Sequence, residues 1–248
     1  MRTRLASFPI AICALVLLCS GTAIAKDKDL LSAMVDLERA YIPALFLTGA
    51  ENEALAPAAM DAYVATWLQF YADYGNYRPS YRNWKSYLDE INFHVEMASE
   101  LVIEGALLEA HEEHMELIRK IMRDFRGSNG FPKFITDRMT DFHSLMGQII
   151  EIVKGTIGSA EIATLYDLYK DASKAWSKVE KNPVDQELWQ LSDEKLMQLK
   201  MFIHAERMAL DAFEAALATG NADVIRATGL AIKPPQVQAY LLFGNFGS

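Results

Sequence analysis

From Asp29 onward the apolar residues of this chain recur at three- and four-residue spacing, and no stretch alternates with period two for long enough to make a sheet. That regularity confines the chain to an all-α fold, a helical bundle of about six to eight helices. Leu31, Met34, Tyr41 and Leu45 outline a first helix, which Pro43 is expected to kink. A second begins near Pro57 and carries Met60, Tyr63, Trp67 and Phe70; a third, over 81–103, carries Trp84, Leu88, Ile91 and Val95. Later helices are expected over 159–179, where Ser159 and Glu161 supply a start signal, and over 185–218. A short helix near 223–230 precedes an apolar tail from Tyr240 to Phe246. So apolar a terminus is expected to dock on the bundle; its other reading is a partner-binding segment using Tyr240, Phe243 and Phe246.

Two helices near the middle, 106–126 and 133–154, flank Gly127-Ser128-Asn129-Gly130-Phe131-Pro132, a run suited to ending one helix and starting the next. If the hairpin folds about Asn129, Met115 lies 14 residues before the centre and His143 14 after it. With a rise of about 1.5 Å per residue on both helices, the two reach similar heights, and His111 falls near Met146.

All five histidines lie between His94 and His204, each with a methionine within four residues on its own helix. Imidazole suits several transition metals and thioether favours Cu(I). The candidate metal set is therefore His111, His114, Met115, His143 and Met146, joined by Met201 and His204 from the long late helix, with copper or b-type haem as the cofactor. Against it stands the plain reading, in which methionine fills irregular helical cores and the histidines are hydrogen-bonded structure. Glu112, Glu113, Glu116 and Asp137 read mostly as a solvated helix face. Asp141 beside His143, or Glu112 beside His111, would be the carboxylate that orients an imidazole.

Several sharper motifs are excluded. A ferritin-like di-iron site needs Glu three residues before a ligand histidine, and none of the five has it. His111-Glu112-Glu113-His114 spaces its histidines by three, whereas a zinc-protease helix spaces them by four. No nucleophile elbow, phosphate loop or dinucleotide fingerprint occurs.

The first 25 residues read as a secretory leader, with Arg2 and Arg4, an apolar run from Phe8 to Leu18, and Ala23-Ile24-Ala25 as the cleavage site. Cleavage places the start of a mature chain at Lys26 and its location in the periplasm or outside the cell. It also removes Cys13 and Cys19, leaving no thiol for disulfides, thiolate metal sites or covalently held haem. Loss of the two arginines leaves 22 basic against 33 acidic residues, a net −11, which disfavours nucleic acid and anionic membranes. Residues 26–248 are read as one helical domain. A faint echo, Tyr71-x-x-Tyr74 before Trp84 and Tyr166-x-x-Tyr169 before Trp176, suggests two four-helix-bundle-like halves, 57–155 and 159–248. The expected function is an exported metal or haem carrier, store or sensor, rather than a catalyst. The alternative is a metal-free helical interaction module with structural histidines.

Overall fold

The computed structural model describes residues 12–77 and 83–247, with side chains from residue 29 onward. The expected leader and its two cysteines therefore lie outside the described side chains. Among the described residues there is no strand, and no helix is long and apolar enough to cross a membrane.

The protein is all-α. Helices α1 (Ile12–Gly49), α2 (Ala56–Tyr74) and α3 (Trp84–Glu104) come first. A single turn, α4 (Leu107–Glu109), a π-helical turn (Ala110–Met115) and α5 (Glu116–Ser128) then run on without a break. The second part comprises α6 (Ile135–Lys154), α7 (Ser159–Glu180), α8 (Asp193–Thr219), α9 (Ala222–Ala231) and α10 (Lys233–Leu241). α1, α2, α3 and α5 pack on one another, as do α6 to α10; α5 against α6 and α1 against α10 join the two sets.

Local chemistry sets the boundaries. Gly105 ends α3 at φ 80°, a left-handed conformation that costs glycine nothing. The Asp137 carboxylate accepts from the Phe134 N–H at 2.9 Å and Glu161 from the Gly158 N–H at 2.9 Å, satisfying donors that a helix start leaves unpaired. The long late helix starts at Asp193 rather than 185, because Ser192 caps it by accepting from the Lys195 N–H. The segment after Ile232, expected as a tail, is helical: Pro234 and Pro235 sit in the first turn of α10, where missing N–H groups cost no hydrogen bond.

The core follows the helical stripes. Met60, Tyr63, Trp67 and Phe70 of α2 face Leu88, Ile91 and Val95 of α3, all essentially sealed from solvent. Trp84 stacks obliquely on Phe125 at 4.7 Å, and Phe142 on Trp176 at 4.8 Å. The joint between α5 and α6 is polar instead. The Arg126 guanidinium donates to Asp137 and to Glu38 of α1 while lying over the Phe134 ring at 4.5 Å, and Arg123 donates to Asp141 at 2.9 Å. Arg126, Glu38 and Asp137 are all buried. Burial opposes the Arg126 charge, yet the two carboxylates outweigh it and keep the group firmly protonated.

The C-terminal segment is docked. Phe243 is buried against the Trp189 ring at 4.8 Å, and the Asn245 N–H donates to the Arg39 carbonyl of α1 at 2.8 Å. Tyr240 and Phe243 are buried, and their apolar surface is spent on the chain itself. Phe246 is half-exposed and meets the Phe46 ring edge-on at 6.2 Å.

Candidate functional site

The hairpin brings its residues to the heights that turn symmetry requires, but on different faces. His143 meets Glu116, not Met115: its Nε2 lies 3.9 Å from Glu116 Oε1. The reason is the π-helical turn at Ala110–Met115, which inserts extra backbone and rotates the later turns of the helix relative to the earlier ones. His111 and Met115, four apart, would share a face of a regular α-helix. Here His111 turns toward α1 and Met115 is sealed in the core.

The side chains that meet line a cavity of about 290 Å3 between α1, the π turn with α5, α6 and α10. One wall is the stripe Lys233, Gln236, Val237, Tyr240 and Leu241, at the i, i+3, i+4, i+7, i+8 spacing of a single helix face. The opposite wall is the end of α1, with Leu45, Phe46, Gly49 and Ala50. His111, Glu116, Arg119 and His143 complete it.

These polar groups are held firmly. His111 Nδ1 donates to the Leu45 carbonyl at 2.9 Å, while its Nε2 lies 3.7 Å from Glu116 Oε1. His111 packs so tightly on α1 that a Cβ at Gly49 would lie 2.6 Å from its Cε1. Arg119 donates to the second Glu116 oxygen, and the Tyr41 hydroxyl to the Met115 carbonyl. Burial, reinforced by the Arg119 charge, pushes His143 down to about 4, so the imidazole is neutral near pH 7. Burial likewise holds the Tyr240 hydroxyl well above the usual phenol range. Four buried polar atoms of the lining residues lack a hydrogen-bond partner: Arg119 Nε, His143 Nδ1, Gln236 Oε1 and Tyr240 Oη. Glu116, Arg119 and His143 also line a second cavity, of about 380 Å3, with Lys120, Arg123 and Ser144.

Of the residues singled out from the sequence, His111, His143 and Tyr240 come together at this cavity. Met115 and Met146 do not: both are core side chains and neither lines it. His114 faces away, its Nδ1 2.9 Å from that of His94 on α3. Met201 and His204 lie on the exposed face of α8 with Met197 and Met208. Asp141 pairs with Arg123 and Lys133 rather than with His143. Among the described residues, no three or more His, Cys, Asp or Glu side chains are set to hold a metal ion.

Spacing in the sequence does not single out Glu116, Arg119, Lys233 or Gln236 as site residues. The α10 residues carry a signal all the same, since the stripe from Lys233 to Leu241 has helical period across the Pro-Pro pair. Comparison with protein-family models, with characterised proteins and with solved structures yields no match.

Proposed function

We propose that the protein is a helical-bundle binding protein that holds a small amphipathic molecule with an anionic head in the cavity between α1 and α10. What carries this reading is that four sealed polar atoms without a protein partner, on Arg119, His143, Gln236 and Tyr240, all belong to residues that line this one cavity. A buried polar atom without a partner costs about 1–3 kcal/mol, so such a cluster is retained where a ligand or water completes it. Glu116 and Arg119 offset each other, the His143 imidazole is neutral, and Lys233 remains as the surplus charge, which favours an anion. Leu45, Phe46, Val237 and Leu241 suit an aliphatic or aromatic body. The volume lies at the small end of the range for small-molecule sites, about 300–1,000 Å3. Export to the periplasm or the exterior remains part of the proposal and rests on the leader-like first 25 residues.

Calorimetric titration with octanoate and with 1-octanol tests it. A carboxylate hydrogen-bonded by Lys233 and Tyr240 should bind about 10–100-fold more tightly than the alcohol, as charged hydrogen bonds contribute about 1.5–3 kcal/mol. Lys233→Gln and Tyr240→Phe should each erase most of that difference. Equal affinities, or none in the wild type, would refute the reading.

A second reading, a copper or haem-iron centre, keeps one observation in its favour: His111 Nε2 and His143 Nε2 approach the same Glu116 oxygen. Glu116 would then replace the methionines as the third ligand. The Arg119 and Lys233 charges acting on His143 oppose a cation there.

A further inference from the structure

The geometry points to a binding site for one divalent transition-metal ion at the pair His94 and His114, with Glu90, which is not in place as a third ligand, recruited when the ion binds. The site lies where α3 crosses the π turn, away from the cavity, and stands whether or not the cavity binds a ligand. His94 Nδ1 and His114 Nδ1 are 2.9 Å apart, and their rings are tilted at 47° with centroids 5.2 Å apart. Two metal–nitrogen bonds of about 2.0–2.1 Å at a right angle span about that same separation. The separation therefore suits two adjacent corners of a coordination shell, provided both rings turn by about 45° so that their lone pairs converge on the ion instead of lying along the N–N line.

Without an ion, one imidazole donates its Nδ1 proton to the other. Ligation through both Nδ1 atoms requires the donating ring to carry its proton on Nε2 instead, a change of tautomer with no net loss of a proton. Glu90 lies one turn before His94 on the same face of α3, and its charge already acts on that ring. As an exposed side chain it is free to swing onto an ion held by the two nitrogens, with water filling the remaining positions. The Phe93 ring stands edge-on to both imidazoles, at 5.2 and 6.4 Å, and shields one side. What separates this pair from His111 and His143 is the absence of arginine and lysine among the described groups acting on His94: Arg119 and Lys233 act on His143 beside Glu116, whereas the groups acting on His94 are His114 and the Glu90 carboxylate.

The test is calorimetric titration of the tag-free full chain with Zn2+ and Cu2+, with electron paramagnetic resonance on the Cu2+ form. One ion per chain is expected, with a Cu2+ spectrum showing coupling to two imidazole nitrogens. Losing an outer-shell partner costs about 10–100-fold in affinity, so His94→Ala or His114→Ala, which remove a direct ligand, should cost at least that much. Glu90→Gln should weaken binding several-fold without altering the two-nitrogen signature. If His114→Ala unfolds, the half-exposed His94→Ala and the surface change Glu90→Gln still decide. No binding by the wild type, binding indifferent to His94→Ala, or binding abolished only by loss of His111 and His143 would each overturn the inference.

Discussion

Gly49→Ala should destabilise the protein, although the same change in an ordinary helix does the opposite. Gly49 is the last residue of α1, and replacing glycine by alanine in a helix gains about 0.5–1 kcal/mol. Here the new methyl would lie 2.6, 2.8 and 2.9 Å from Cε1, Nδ1 and Nε2 of His111, closer than van der Waals contact allows. The ring must swing into the cavity and give up its bond to the Leu45 carbonyl, a loss of about 0.5–1.5 kcal/mol. Overpacking strain typically adds about 1–3 kcal/mol. The balance is a net loss of about 0.5–4 kcal/mol, which at about 2–4 °C per kcal/mol for a chain of this size lowers Tm by about 1–16 °C. The assay is a double-mutant cycle by thermal and urea denaturation. With His111→Ala in place the obstacle disappears, and Gly49→Ala should then stabilise. Stabilisation by Gly49→Ala alone, or the same sign in both backgrounds, would refute the packing argument.

Three other changes probe the interior. Glu206 of α8 is fully buried; the Gln236 backbone N–H points its way, but neither carboxylate oxygen completes a hydrogen bond, and burial pushes it up to about 8. The folded chain then holds a proton that the unfolded chain releases near 4.5, so stability falls as pH rises from about 4.5 to 8; Glu206→Gln should remove that slope in pH-dependent urea melts and be the more stable protein at pH 8. His143 has the opposite sign: its folded value of about 4 lies below 6.5, so its contribution is complete above about 6.5 and is lost as pH falls toward 4. His143→Gln should flatten that limb, and histidine NMR should find the His143 imidazole still neutral at pH 5.5. Arg126→Met strands Glu38 and Asp137 in the core and should cost about 3–5 kcal/mol by chemical denaturation, whereas the triple change Glu38→Gln/Arg126→Met/Asp137→Asn should recover much of it.

Helix content, the central turn and the heights of residues across it were legible in the chain, because hydrophobic period and rise per residue are local properties. Which way each side chain faces was not. A π turn leaves no reliable composition signal, and one residue of extra winding separates a Met115–His143 pairing from the observed Glu116–His143 approach. Glu116 and Asp137 looked like members of a solvated face, since carboxylates outside a core stripe usually are. Their actual partners, Arg119 and Arg126, stand 3 and 11 residues away, and the third member of the buried group, Glu38, lies 88 residues before Arg126. The Glu116–Arg119 pair is a local i, i+3 spacing, but the pairings of Arg126 with Asp137 and Glu38 depend on tertiary approach. The methionines of α8 show the reverse: a stripe at perfect helical spacing that fits a core faces solvent.

The cavity between α1 and α10 also has a history in time. Leu45 is made early and Tyr240 late, and a ribosome adds about 5–20 residues each second, so one wall waits on the order of ten seconds or more for the other. Closing so long a loop is entropically slow and comes after local helices have formed. During that interval Arg119, Glu116 and His143 face water, which satisfies them without a ligand. Docking of α10 supplies the second wall, so the cavity exists only once the C-terminal helix is in place against the end of α1.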